Sequence, residues 1–91
     1  MLLADFSPHF ARDLRKLKNL HRDVDKLKPI VSLLLEQKRI PPKYKDHALN
    51  GDYKGVRELH ISWNPDWLLL YKKTKTHILF LRMGTHDALF K

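Results

Sequence analysis

The chain changes its hydrophobic period once, near its middle, and that change limits the folds open to it. Before Ile40 the apolar residues recur at helical spacing: Phe10, Leu14 and Leu17, then Val24, Leu27, Val31, Leu34 and Leu35. After Gly55 they crowd into short runs rich in Leu, Ile, Trp, Tyr and Phe, the pattern of strands. Between the two regimes lie Ile40-Pro41-Pro42, which stops a helix, and the turn signals Asn50-Gly51-Asp52 and Gly55. A helical half followed by a strand half predicts an α+β domain.

The elements follow from local chemistry. Leu2 to Phe6 reads as a short first strand. Ser7-Pro8 starts a helix, with a hydroxyl cap and then a proline where no N–H is needed. Asn19 to Arg22 breaks it, and Asp23 caps a second helix. Pro29 is tolerable in that helix as a kink, or if regular helix begins close to it. Val56 to Ile61, Trp67 to Lys72 and His77 to Arg82 read as strands whose short links predict antiparallel hairpins. The expected order is β-α-α-β-β-β, with two N-terminal helices packed on a small antiparallel sheet. At 91 residues, without repeats, residues 1–91 form a single domain.

Lys and Arg total 18 against 10 Asp and Glu, a net charge of +8. That excess favours a polyanionic partner, nucleic acid first, or an acidic protein. The absence of cysteine excludes disulfides and thiolate metal sites. No apolar run approaches the ~20 residues of a membrane helix, and the N-terminus lacks a signal-peptide h-region, so a cytoplasmic protein is expected.

Six histidines are present, and His47, His60 and His86 stand in suggestive settings. Strand alternation places Val56, Glu58 and His60 on one face, which the polar pair suggests is accessible, and Arg57, Leu59 and Ile61 on the other. A short hairpin brings Asp66 near His60, where a carboxylate would orient an imidazole. Arg82 ends the last strand, Gly84 permits a change of direction, and His86 returns over the sheet edge. Imidazoles beside an arginine in a basic protein suit metal-free cleavage of RNA. One group takes the ribose 2′-OH proton, another protonates the leaving 5′-oxygen, and the cation meets the charge on phosphorus. Aromatics such as Trp67, Tyr71 or Phe90 could hold an unstacked base. The wide, irregular spacing of His47, His60 and His86 gives no support for zinc, so no metal or cofactor is expected. His9, His21 and His77 read as surface residues.

Four ordered motifs resemble a known family. They are Lys45-Asp46-His47-Ala48-Leu49-Asn50-Gly51, Arg57-Glu58-Leu59-His60-Ile61, Pro65-Asp66-Trp67-Leu68-Leu69-Leu70-Tyr71, and Arg82-Met83-Gly84-Thr85-His86-Asp87-Ala88-Leu89-Phe90. Together they resemble the YafQ-like branch of the RelE/ParE superfamily, bacterial type II toxins that cleave mRNA on the ribosome. The resemblance implies the RelE-like fold, with His47, His60, Asp66, His86 and Arg82 as the catalytic set and Trp67, Phe90 and Lys45 against substrate. It also implies a cognate ribbon-helix-helix antitoxin of the DinJ type, contact with the 70S ribosome and mRNA, and operator DNA only through the antitoxin complex. Two rival functions are a ParE-like toxin that binds DNA gyrase without catalysis, and a basic RNA-binding module. One departure is the longer link Ser62-Trp63-Asn64 before Pro65, which could shift Asp66 and add Trp63 as a stacking surface.

Overall fold

Ser7 starts the first helix as its chemistry requires. In the computed structural model, which describes residues 1–63 and 66–90, its hydroxyl oxygen accepts the Phe10 N–H at 3.0 Å. The same hydroxyl donates to the Leu81 carbonyl at 2.7 Å, pinning the helix start to the last strand. Helix α1 spans Pro8–Asn19. Asp23 caps a short 3-10 turn, Val24–Lys26, and α2 begins only at Leu27, running to Leu35. Pro29 therefore falls in the first turn of α2, where a missing N–H costs no helical bond.

The strands are β1 (Leu3–Phe6), β2 (His47–Ala48), β3 (Arg57–Trp63), β4 (Asp66–Lys73) and β5 (His77–Gly84), in the spatial order β1-β5-β4-β3-β2. The α+β class and the β3-β4-β5 meander are as expected. The sheet is mixed, however: β1 pairs parallel to β5, with Leu3 opposite His77 and Phe6 opposite Phe80. No hairpin joins these two strands, so no short link forces them antiparallel. Two elements went unforeseen, the two-residue β2 and a C-terminal helix α3 (His86–Phe90). No helix among the described residues is long and apolar enough to cross a membrane.

The two faces of the sheet differ. Leu59, Ile61, Trp67, Leu69, Tyr71, Ile78, Phe80 and Met83 pack with Phe10 and Leu17 of α1 and Leu27, Ile30 and Leu34 of α2. The opposite face carries Glu58, His60, Leu68 and Leu70, all buried, and α3 lies over part of it. A Cβ added at Gly84 would sit 3.4 Å from Ala88 Cβ and 3.5 Å from Leu89 Cδ2, so the glycine lets α3 pack closely.

Two bulges decide which side chains reach that second face. In β3, His60 opposes Leu68 but Ser62 already opposes Trp67, so Ile61 is the extra residue. Trp63 and Asp66 are thereby paired on the His60 side. In β5, Tyr71 opposes Phe80 and Leu70 opposes Arg82, so Leu81 is extra. Arg82 then joins the cross-strand row of Glu58 and Leu70. Bulges commonly re-aim side chains beside active sites.

Candidate active site

Glu58 is the centre of the site. It is 4% exposed, and its Oε1 lies 3.7 Å from His47 Nε2 and 3.9 Å from His86 Nε2. His60, two residues along the same face, is 6% exposed and its ring centroid is 5.7 Å from that of His86. The predicted sharing of a face by Glu58 and His60 holds. The expectation that this face is open does not, because Trp63, His86 and α3 crowd over it.

Each outer imidazole is held by its Nδ1. His47 Nδ1 lies 2.6 Å from the Lys45 carbonyl, which can only accept, so the proton sits on Nδ1. His86 Nδ1 lies 3.1 Å from Asp66 Oδ2, which also accepts the His86 backbone N–H at 2.8 Å. This arrangement favours the Nδ1–H tautomer and leaves both Nε2 lone pairs facing Glu58. Asp66 was expected to orient His60. It orients His86 instead, because the bulge at Ile61 sets it against Trp63, at the edge where the chain enters α3. Burial pushes the Asp66 carboxyl up, but the two bonds from His86 outweigh it and hold the group below its ordinary range.

Burial pushes the His60 imidazole below its ordinary value; Glu58 opposes this and the His86 ring adds to it. Its Nδ1 is buried without a hydrogen-bond partner. The Trp63 ring stacks flat on it, with centroids 3.8 Å apart and planes 7° from parallel. Trp63 is itself 55% exposed, and its Nε1 donates to the Lys43 carbonyl at 3.0 Å. The longer link thus does supply a stacking surface, though its Asn64 and Pro65 lie outside the described residues.

The lowered His60 value fixes a pH dependence. The unfolded chain takes up this proton first as pH falls. Stability is therefore full above about pH 6.5, the ordinary imidazole value, and declines as pH drops from there toward the folded value. Thermal melting of the native chain is expected to fall from pH 7.5 to pH 5.5, and His60→Gln is expected to flatten that fall. An equal drop in both proteins would show that His60 is not the group responsible.

The sequence placed Lys45, Arg82, Phe90 and Trp67 beside the histidines. Lys45 adopts a left-handed backbone (φ 46°) and its Nζ stands 5.9 Å over the Trp63 ring. Next to it, Asp46 is locked by the Tyr71 hydroxyl and by Arg57 Nη2 at 3.1 Å, which fixes the approach of the chain to His47. Burial and then Asp46 push the Tyr71 hydroxyl up, so it stays a donor. The Phe90 ring is 6.0 Å from His86 and meets Tyr53 edge-on. Arg82 donates through Nε and Nη2 to Asp13 of α1, at 2.7 and 3.2 Å, and this bond raises its pKa further. Asp13 also accepts the Met83 N–H at 3.0 Å, covering a stretch of β5 that β1 does not reach. Trp67 does not join the site. It is 3% exposed and lies on the helix-packed face, so Trp63 takes the place expected of it beside the imidazoles. His9 and His21 are exposed, as expected, and His77 is half-buried, 3.8 Å from Asp5.

Sequence reasoning missed Glu58 as a member of the cluster and Asp13 as the holder of Arg82. The first had a signal, two residues before His60 on one face. The second had none, since Asp13 reads as an ordinary polar position on a basic helix.

A mixed sheet with two helices on one face and a histidine–carboxylate cluster on the other is found again in bacterial toxins. The model of the family described as "Bacterial toxin of type II toxin-antitoxin system, YafQ" matches residues 3–91. The mRNA interferase toxin YafQ of Escherichia coli K12 is 40% identical over 87 residues, covering 94% of this chain and 92% of the relative. In the crystal structure of the E. coli DinJ–YafQ toxin–antitoxin complex, the matching chain superposes with a TM-score of 0.88 at 38% identity, covering 99% of this chain and 98% of that one. A metal-bound toxin from Helicobacter pylori matches with a TM-score of 0.90 at 37% identity over 99% and 100% of the two chains. The chain belongs to the YafQ toxin family, as its four motifs led one to expect.

Proposed function

We propose that this toxin is an endoribonuclease that cuts mRNA on the translating 70S ribosome, by acid–base catalysis. The observation that carries this reading is the pair of imidazoles with tethered Nδ1 atoms and free Nε2 atoms around one buried carboxylate. A binder of DNA gyrase, or a plain RNA-binding module, has no use for such an arrangement.

In the proposed reaction one imidazole accepts the 2′-OH proton. The 2′-oxygen attacks phosphorus, the bond to the 5′-oxygen breaks, and a second, protonated imidazole supplies the leaving oxygen with its proton. The products are a 2′,3′-cyclic phosphate and a 5′-hydroxyl. His86, oriented by Asp66, is one partner in the transfer, and His47 and His60 with Glu58 supply the other. Arg82 faces the charge that builds on the phosphoryl oxygens. Trp63, Phe90 and Lys45 hold the base and backbone, beside a hollow of about 340 Å³ bordered by His60, Trp63, Lys26 and Lys43. The H. pylori relative is metal-bound, and one carboxylate among bare imidazole nitrogens fits a transition metal here too. The cleavage proposed has no step through a metal.

The partner follows from charge and kinship. DinJ and YafQ form a complex in E. coli, and +8 on this chain calls for an acidic antitoxin segment over the same basic surface. The ribosome and mRNA are the other proposed partners, and operator DNA is reached only through the antitoxin.

Induced expression tests this reading. It is expected to arrest growth and to leave cuts inside translated messages, with cyclic phosphate ends, and co-expression of the cognate antitoxin is expected to restore growth. Arrest with messages intact would point to the gyrase-binding alternative. Equal cutting of untranslated RNA would remove the ribosome from the mechanism.

A further inference from the structure

We infer that Asp46, Tyr71 and Arg57 are positioning residues, which from the helix-packed side of the sheet hold His47, on the opposite side, as the Nδ1–H tautomer with Nε2 free. The catalytic half of this inference rests on the proton-transfer role proposed above for His47; the structural half rests on geometry alone.

By itself β2 is a weak holder for a catalytic group. It has two residues at the edge of the sheet, with His47 opposite Glu58 and Ala48 opposite Arg57. Just before it the backbone takes an unfavourable shape. Lys45 sits in the left-handed region, at φ 46° and ψ 51°, which L residues disfavour. Such a conformation persists where its surroundings over-determine it. It decides where the Lys45 carbonyl points, and that carbonyl is the acceptor 2.6 Å from His47 Nδ1.

The surroundings act from both sides of Lys45. On its N-terminal side the Tyr44 and Lys45 N–H groups donate to the Pro41 and Pro42 carbonyls, at 3.1 and 3.0 Å. On its C-terminal side the Asp46 carboxylate takes three donors. Oδ1 accepts the Tyr71 hydroxyl and Arg57 Nε, the latter at 3.4 Å, and Oδ2 accepts Arg57 Nη2 at 3.1 Å. With both oxygens engaged by a fork and a hydroxyl, the carboxylate has one orientation. Tyr71 is 2% exposed and packed in the core, so its hydroxyl is held by the body of the protein. Arg57 stands opposite Tyr71 across β3 and β4.

The lock and the imidazole lie on opposite sides of the sheet. Asp46 and His47 are consecutive, and successive side chains of an extended chain point to opposite faces. Asp46 meets Tyr71 on the helix-packed side, while His47 Nε2 faces Glu58 on the other, at 3.7 Å. The three residues thus act on the chemistry through the Lys45 backbone. With the lock broken, Lys45 relaxes, its carbonyl turns away, and the His47 proton is free to move to Nε2. An imidazole in that tautomer has no lone pair on Nε2 to take a 2′-OH proton.

Long-range ¹H–¹⁵N spectra of the purified full chain read the tautomer of each ring at about pH 8, above the ordinary imidazole value of about 6.5. His47→Gln identifies the His47 signals. Native His47 is expected as a single Nδ1–H tautomer. Tyr71→Phe, which removes one hydroxyl and keeps the packed ring, and Asp46→Asn are each expected to give a mixture of both tautomers. Each is expected to slow the maximal single-turnover cleavage of message about ten- to a hundredfold, the scale of a small misplacement, with the half-saturating toxin concentration changed less than about twofold. Tyr71→Phe decides alone where Asp46→Asn fails to fold. Ile30→Val weakens the core without removing a bond to Asp46, and is expected to lower the melting temperature while keeping the native tautomer and rate. A native tautomer in Tyr71→Phe, whatever its rate, would overturn the lock, as would equal disturbance by Ile30→Val. Mixed tautomers with a native rate would overturn the catalytic half. A native rate in His47→Gln would instead strike His47 from the proton transfer proposed above, and the tautomer result would stand without it.

Discussion

His86→Ala is expected to abolish growth arrest and message cleavage while leaving the protein folded. His86 is exposed, so its loss opens no cavity in the core. Its ring accounts for one of the two Nε2 atoms facing Glu58, and for one of the two bonds to Asp66. Proton transfer by a positioned side chain contributes roughly 10²–10⁴-fold in rate, and a loss in that range is predicted for the single substitution. Single-turnover cleavage in a pre-formed ribosome complex measures it, with melting temperature as the control for folding. His86→Gln keeps the hydrogen bond to Asp66 within reach and is expected to be as inactive as His86→Ala. A folded His86→Ala protein that still arrests growth would remove this imidazole from the mechanism.

Arg82→Ala is expected to cost about 2.7–4 kcal/mol of transition-state stabilisation, or 10²–10³-fold in rate, the range for removing one preorganised donor. The geometry sharpens this. Asp13 takes the Nε and Nη2 edge of the guanidinium, which leaves Nη1 as the donor for a phosphoryl oxygen. Arg82→Lys should recover activity only in part, since one ammonium cannot both bond Asp13 as a fork and reach the phosphate. Native rates in Arg82→Lys would mean that a point charge suffices. Unchanged rates in Arg82→Ala would confine the residue to holding α1 against β5.

Much of this fold was legible because period and punctuation agree along the chain. The Ser7-Pro8 cap, the break after Asn19 and the three apolar runs after Gly55 each have one local reading. What stayed hidden is non-local or saturated. The parallel pairing of β1 with β5 joins residues 3–6 to residues 77–80, and no turn chemistry announces it. The bulges at Ile61 and Leu81 lie in segments so apolar that alternation carries no signal; Leu68-Leu69-Leu70 is buried on both faces. Those two bulges decide the composition of the cluster. Without the first, Trp63 would fall on the face opposite His60, and strict alternation reads it so. Asp66 lies near His60 as expected, but its hydrogen bonds go to His86 at the start of α3. The histidines themselves were legible from type and motif, since imidazoles near an arginine in a basic chain narrow the chemistry whatever the register.

The pairing of β1 with β5 also sets when in its life this molecule can first exist as a folded object. The partner of β1 is synthesised long after β1 itself, and the Ser7 hydroxyl bond to Leu81 spans 74 positions. Contacts that bridge nearly the whole chain form late and slowly, because loop closure precedes any reward. A growing chain therefore holds helices without a sheet to rest on, and Asp66 waits for a His86 not yet made. The cluster can assemble only once β5 and His86 have been made. A chain that stops short of β5 lacks the strand that joins β1 to β4, and with it Arg82 and His86.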